Sequence, residues 1–467
     1  MSKEKKKNNH VNRTLAIIII ASFCLLILAF GMSHPRKREI PVLEDGSSIF
    51  MSYDGPIFPL TSREAMPSIE AVREIEFDFD TALAAYNPAA QCMIRDRYTL
   101  INTSSEDQTI PVIYPYVSSF YENIMPIFKV NDHTAETMSY SGMINSPANL
   151  NGISSWQGYA ELLADSAYMD AAFTDYPALD DSVIVYVLNE ISDGGSDAPA
   201  PTMNIEFTMD YDQTMVFTYG FNGGVYDSEH GRGERSFFIP SKEDCDYNEN
   251  RFLIVMGDDL DNFTIQGYQN GGCKAGEEID EAKAHVDRIE TTLGEILKII
   301  ANDYYEEAIK DTDAEALKSH LSADRFYGEI CRLFSQYNSG EPDMVNHYQS
   351  GMLEDMLIDV MHYKRIFYET FELVIPSYSS VDVSAEFIKY GNFDYHSTGT
   401  KNEGVKGYDF VTQLGSVLNF QKQSVLVNHG QNVEIVRENL DIDANQNHAK
   451  LDLNVEHYYL EVRSTDK

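Results

Sequence analysis

Asp441, Asp443, Asn445 and Asp452 are spaced like the oxygen ligands at positions one, three, five and twelve of a calcium loop. Carboxylate and amide oxygens are what a hard cation takes, so the residue types suit the chemistry. Two features oppose it. Position six, where such a loop turns sharply on glycine, holds Gln446, and the flanking residues alternate as strands do. The spacing predicts a polar hairpin turn, with calcium as the alternative and no other cofactor expected. Asp258-Asp259-Leu260-Asp261-Asn262 has the same oxygen chemistry with less pattern and reads as a solvated turn.

Glu229-His230-Gly231-Arg232-Gly233-Glu234-Arg235 gathers a base, two acids and two guanidinium groups on a glycine-bearing loop, where acid–base chemistry can be built. His230 has no second histidine at ligand spacing. The chain also lacks HExxH, a GxSxG elbow, a P-loop and a dinucleotide fingerprint, so no catalytic residue is assigned. Gly271-Gly272-Cys273-Lys274-Ala275-Gly276 precedes a helical pattern, and a cysteine at a helix N-terminus has a lowered pKa. Glu277 and Glu278 follow at once and oppose both an anion and a thiolate. Cys273 is instead matched with Cys245 as the first candidate disulfide, because both lie in loop-like Gly- and Asp-rich sequence. Cys331, between Ile330 and Leu333, reads as a buried thiol.

Leu15 to Met32 carries no charge, and at about 1.5 Å per residue it reaches about 27 Å as a helix, close to a hydrocarbon core. Lys3, Lys5, Lys6, Lys7 and Arg13 precede it against the single acid Glu4, while Arg36, Lys37 and Arg38 follow. That asymmetry places the N-terminus in the cytoplasm and the bulk of the chain outside. A signal sequence cleaved near Ala29-Phe30-Gly31 is the rival, opposed by an apolar run longer than a signal core.

The elements around the candidate residues follow from period and composition. The chain divides into a basic tail (1–14), a transmembrane helix (15–32), a proline-bearing stalk (33–67), a β-rich region with one helix (68–275), a helical region (276–365) and a C-terminal β region (366–467). Ile57, Phe58 and Leu60 offer a second reading of the stalk's end, in which it lies against the domain. Ile75, Phe77 and Phe79 alternate with Glu74, Glu76, Asp78 and Asp80 as a half-buried strand. The stretches 94–100 and 110–114 read as a hairpin, as do 128–130 with 137–140 and 203–209 with 215–219, and 222–235 reads as a Gly-rich loop. Ser154 and Gln157 have capping-box spacing ahead of a helix. Val183 to Leu188 is apolar on both faces, as a strand covered on two sides must be. From Glu277 to Lys310 apolar residues recur at threes and fours, predicting one long helix, followed by helices to about Tyr337 and from about Asp343 to Tyr363. No fixed-period repeat is present.

The fold class expected is α+β: a single transmembrane helix, then an antiparallel, sandwich-like β ectodomain with an inserted helical bundle. With 74 acidic against 35 basic residues, net −39, the body repels nucleic acid and anionic lipid surfaces. Its 29 tyrosines suit contact with proteins or glycans, although half-buried strands use tyrosine too. The reading is a membrane-anchored binding or assembly protein, partnered by lipid through 15–32 and by a surface protein or glycan. An envelope hydrolase, or a sensor relaying through a membrane partner, is the alternative.

Overall fold

The computed structural model describes residues 55–80, 87–122, 125–142, 163, 177–239, 251–311, 318, 321–338, 351–394, 402–442 and 447–465. Among these residues five β-sheets and three α-helices make up a β-rich α+β fold. The largest sheet has seven strands, in the order His448–Leu451, Asn419–Asn428, Ile69–Asp78, Gln91–Asn102, Ser380–Tyr390, Ile127–Val130 and His133–Thr134. Its pairs are antiparallel except Ile69–Asp78 with Asn419–Asn428, which run parallel. Thr61–Ser62, Gln108–Ser118, Arg365–Ile375 and Met138–Ser141 form a second sheet, and Phe393–Asp394, Val405–Val411, His457–Ser464 and Val433–Glu438 a third.

The seven-stranded sheet buries one face. Ile75, Phe77, Ile94, Leu100, Val383 and Val425 meet Val112, Tyr114 and Phe371 of the second sheet and Tyr408, Phe410 and Leu460 of the third. Phe77 lies 5.8 Å from the Phe410 ring, and Tyr114 meets Phe128 edge-on at 5.4 Å. Within this apolar layer Arg73 and Asp96 are both fully buried and joined by two parallel bonds, Nε to Oδ1 and Nη2 to Oδ2, each 2.8 Å. The Tyr98 and Tyr114 hydroxyls donate to Asp96 Oδ2 at 2.6 and 3.1 Å, and Arg73 Nη1 donates to the Val411 carbonyl at 2.8 Å. Burial pulls the Arg73 pKa down, but Asp96 more than reverses that and leaves it raised.

Residues 177–362 sit between two strands of the second sheet, Met138–Ser141 and Arg365–Ile375. They build a four-stranded sheet, ordered Thr214–Tyr219, Arg251–Gly257, Ser182–Ser192 and Lys283–Thr292, and a five-stranded sheet beginning at Gly223–Asp227. Leu188, Leu253 and Val255 pack on Ile205, Phe207 and Phe237 of the five-stranded sheet. On the other face Val185, Phe217 and Ile254 pack with helices α1 (Leu293–Asp311), α2 (Ala323–Asn338) and α3 (Leu353–His362), the Phe217 ring lying 4.8 Å from Phe334. Covering on two sides is why Val183 to Leu188 alternates with so little polarity.

Several expectations are corrected. The single helix over Glu277–Lys310 is two strands of different sheets, Glu278–Ile279 and Lys283–Thr292, leading into α1. Ala282 and Val286, four apart, satisfy both a helical and a two-residue period, and pairing with Ser182–Ser192 selects the strand. The switch falls at a capping box: Glu295 N–H donates to Thr292 Oγ1 at 3.3 Å, and Thr292 N–H to Glu295 Oε2 at 3.4 Å. Gln91–Asn102 and Gln108–Ser118 are not a hairpin but belong to facing sheets, as do Thr202–Thr208 and Thr214–Tyr219. Alternation specifies a face, not a partner. Ile127–Val130 does turn, through Asn131 and Asp132 at φ 48° and 65°, yet its return strand is His133–Thr134. The supposed loop 222–235 contains the hairpin Gly223–Asp227 with Arg232–Phe238.

Of the stalk, Ile57, Phe58 and Leu60 lie in the core, so its end follows the second reading. The linear division at 275 and 365 is crossed by the sheets, since the largest joins residues near 70 to residues near 450. The transmembrane helix 15–32 and the capping box at Ser154 lie outside the described residues, among which no helix is long and apolar enough to cross a membrane.

Candidate functional site

The uncovered face of the seven-stranded sheet carries its polar residues in register. Lys422, Val72, Thr99 and Asp382 stand opposite one another across four strands. Beside them run Ser424, Glu74, Arg97, Ser384 and Lys129, and then Glu76, Arg95 and Glu386. The small residues Val72, Thr99, Ser384 and Ser424 leave the face recessed between longer side chains, and an open groove of about 420 Å³ results. The turn residue Asp132 closes the end nearest Asp382.

Most of the charges are spent on their neighbours. Arg97 binds Glu76 at 2.7 Å and Glu74 at 3.4 Å; Arg95 binds Asp78 at 2.9 Å and Glu76 at 3.1 Å. Lys129 sits 2.9 Å from Glu386. Burial lowers the Arg95 pKa, yet the Asp78 and Glu76 carboxylates hold it above its ordinary value. Opposite charges directly across a ladder stabilise the pairing by a few tenths of a kcal/mol to about 1 kcal/mol each. Asp382 accepts the Thr99 hydroxyl at 2.8 Å, but among the described residues it makes no ion pair, and neither do Asp132 or Lys422. All three are exposed.

The residues singled out by spacing lie elsewhere and apart. Asp441 has φ 53° and donates its N–H to Glu438, and Asp452 accepts the Asn454 N–H at 2.9 Å, both as turn groups. Asp443 and Asn445 lie outside the described residues, among which no cluster of three or more His, Cys, Asp or Glu is placed to hold a metal. Glu229–Arg235 makes the turn and return strand of the 223–238 hairpin, with His230 Nδ1 2.7 Å from Asp227. That hydrogen bond lowers the Asp227 pKa. Arg235 turns inward and stacks 4.0 Å over the Tyr226 ring.

Cys273 is a half-buried free thiol whose pKa is raised by burial and by Glu234 and Glu206. Cys245 lies outside the described residues. Cys331 is buried, with its pKa pushed up to about 11 by burial. Asp259, assigned to a solvated turn, accepts the Tyr186 hydroxyl at 2.7 Å and is paired with Arg288 at 2.8 Å.

Buried carboxylates are committed to structure. Glu329 on α2 takes Arg365 at 2.7 Å and the Ser141 hydroxyl at 2.7 Å, tying the helices to the second sheet. Glu369 takes the hydroxyls of Tyr116 and Thr137, and Asp409 takes His457 at 2.8 Å and Asn392. Tyr98, Tyr114, Tyr368 and Tyr408 are fully buried, so much of the aromatic composition serves the core and not a surface. Spacing missed the groove because its residues come from strands as distant as 72 and 422. The alternating charges of Glu74-Glu76-Asp78 and Arg95-Arg97 were its one visible signal.

No family model matches the chain and no curated protein matches it. Among solved structures it is similar to the crystal structure of a "putative nutrient binding protein" from Legionella pneumophila, at 6% identity and TM-score 0.27, over 87% of this chain and 70% of that one. A likeness at that level carries no argument about function.

Proposed function

We propose that this chain is a binding protein of the cell surface, tethered by residues 15–32 and presenting the groove of its seven-stranded sheet to a polar ligand on another molecule. The observation that supports it is the groove: an open recess with a floor of small side chains, bordered at its ends by Lys422, Asp132 and Asp382, which make no ion pair among the described residues. The tether rests on the uncharged run Leu15–Met32 and the five basic residues before it.

Two measurements test the reading. Arrays of polar peptides and oligosaccharides are probed with the full chain in nanodiscs. Binding that disappears in Thr99→Trp, which fills the floor, supports it, and equal binding by that variant overturns it. On intact cells, protease removes a tag appended at Lys467; a tag protected until lysis refutes the outward placement.

A further inference from the structure

We infer that the groove takes an extended peptide segment carrying one cationic and one anionic side chain about four residues apart, an inference that rests on the binding reading above. The register carries the argument. Lys422, Val72, Thr99 and Asp382 lie in one row over four adjacent strands. Three strand spacings of about 4.8 Å set the two charged ends about 14 Å apart. Between them the row holds only an apolar and a hydroxyl side chain, so nothing inside it compensates either end.

The other charges that line the groove, and those beside them, are paired. Glu74, Glu76, Asp78, Arg95, Arg97, Lys129 and Glu386 are all joined in ion pairs. Lys422 at one end and Asp382 with Asp132 at the other stand outside that system. A ligand of matching polarity therefore meets a cation at one end and two acids at the other, without breaking any pair the fold uses.

An extended chain advances about 3.3 Å per residue, so residues i and i+4 lie about 13 Å apart, and the even offset points both side chains to the same face. That matches the row. An offset of five turns one side chain away, and a helical segment brings i and i+4 to within about 6 Å, too short for the row.

The test uses fluorescent nonapeptides and the full chain in nanodiscs, read by anisotropy at low salt. Four peptides place Lys and Asp at i and i+4, Lys at both, Asp at both, or Lys and Asp at i and i+5. The first should bind about fivefold to tenfold more tightly than the others, as expected for about 1 kcal/mol per mismatched exposed pair. Lys422→Glu should transfer the preference to the doubly cationic peptide, and Asp382→Lys to the doubly anionic one. Both positions are exposed, and circular dichroism checks that each variant is folded. Binding that Thr99→Trp abolishes but that ignores charge, spacing or the two reversals overturns the bipolar inference and leaves the groove reading intact. If no peptide binds while the array shows a Thr99→Trp-sensitive glycan, the peptide inference falls alone. If Thr99→Trp changes nothing in either experiment, both fall.

Discussion

Replacing Asp96 by Asn tests how the core holds together. In the native fold the Asp96 carboxylate receives four hydrogen bonds, two from Arg73 and one each from Tyr98 and Tyr114, with both members of the ion pair fully buried. Asn keeps the shape but removes the charge and turns one acceptor into a donor facing donors. Arg73 cannot shed its proton, so it becomes a buried cation with no counter-charge. Breaking one side of such a pair costs about 3–5 kcal/mol. At a urea slope of about 3 kcal/mol/M that is a shift of at least about 1 M in the midpoint of the detergent-solubilised chain. Arg73→Met with Asp96→Leu removes both charges. It also strands the Tyr98, Tyr114 and Val411 groups at about 1–3 kcal/mol each, so removing both charges should not restore the wild-type midpoint. A midpoint for Asp96→Asn within about 0.3 M of wild type, about 1 kcal/mol at that slope, would refute the argument that this pair is indispensable to the packed sheets.

Other consequences are equally direct. Thr292→Ala removes the hydroxyl that caps α1 and should cost about 1 kcal/mol in the same urea titration. Gly257 has φ +96°, and an added Cβ would stand 1.9 Å from the Gln213 carbonyl oxygen. Gly257→Ala should therefore lose about 2 kcal/mol or more, from left-handed strain together with that collision. Glu354, whose carboxylate accepts the Gly220 N–H, has its pKa raised by burial. A carboxyl with a raised folded-state pKa contributes most below its unfolded value and loses that contribution as pH rises through the folded one. Glu354→Gln should match wild type near pH 4 and become the more stable at pH 8, and urea midpoints across that range check the crossing.

The charged network of the exposed sheet face and the buried pair beneath it use the same two strands. Arg73 and Asp96 point inward while Glu74, Glu76, Arg95 and Arg97 point outward, so both faces of Ile69–Asp78 and Gln91–Asn102 are set by one register. A slip of one residue would put Arg73 and Asp96 in water and the outer charges in the core. The buried pair is accordingly suited to fix register, and the outer groove depends on it: Val72 and Thr99 face each other only in that alignment.

Local periodicity by itself determined that this chain is β-rich, with strands near 75–79 and 183–188, a β region over 366–467 and helices ending near Tyr337 and Tyr363. Those segments bury one face or both against neighbours of the expected kind, so the pattern of apolar residues carries the information. Pairing was decided only in three dimensions. Alternation cannot say whether the next strand turns back in the same sheet or crosses to the facing one: of the three hairpins expected, two proved to be strands of facing sheets and the third turned back through a nearer strand. The residues over 277–292 fit two periods, and the neighbouring strand chose between them. The groove belongs wholly to the tertiary structure, because it exists only where strands from both ends of the chain set Lys422, Val72, Thr99 and Asp382 side by side.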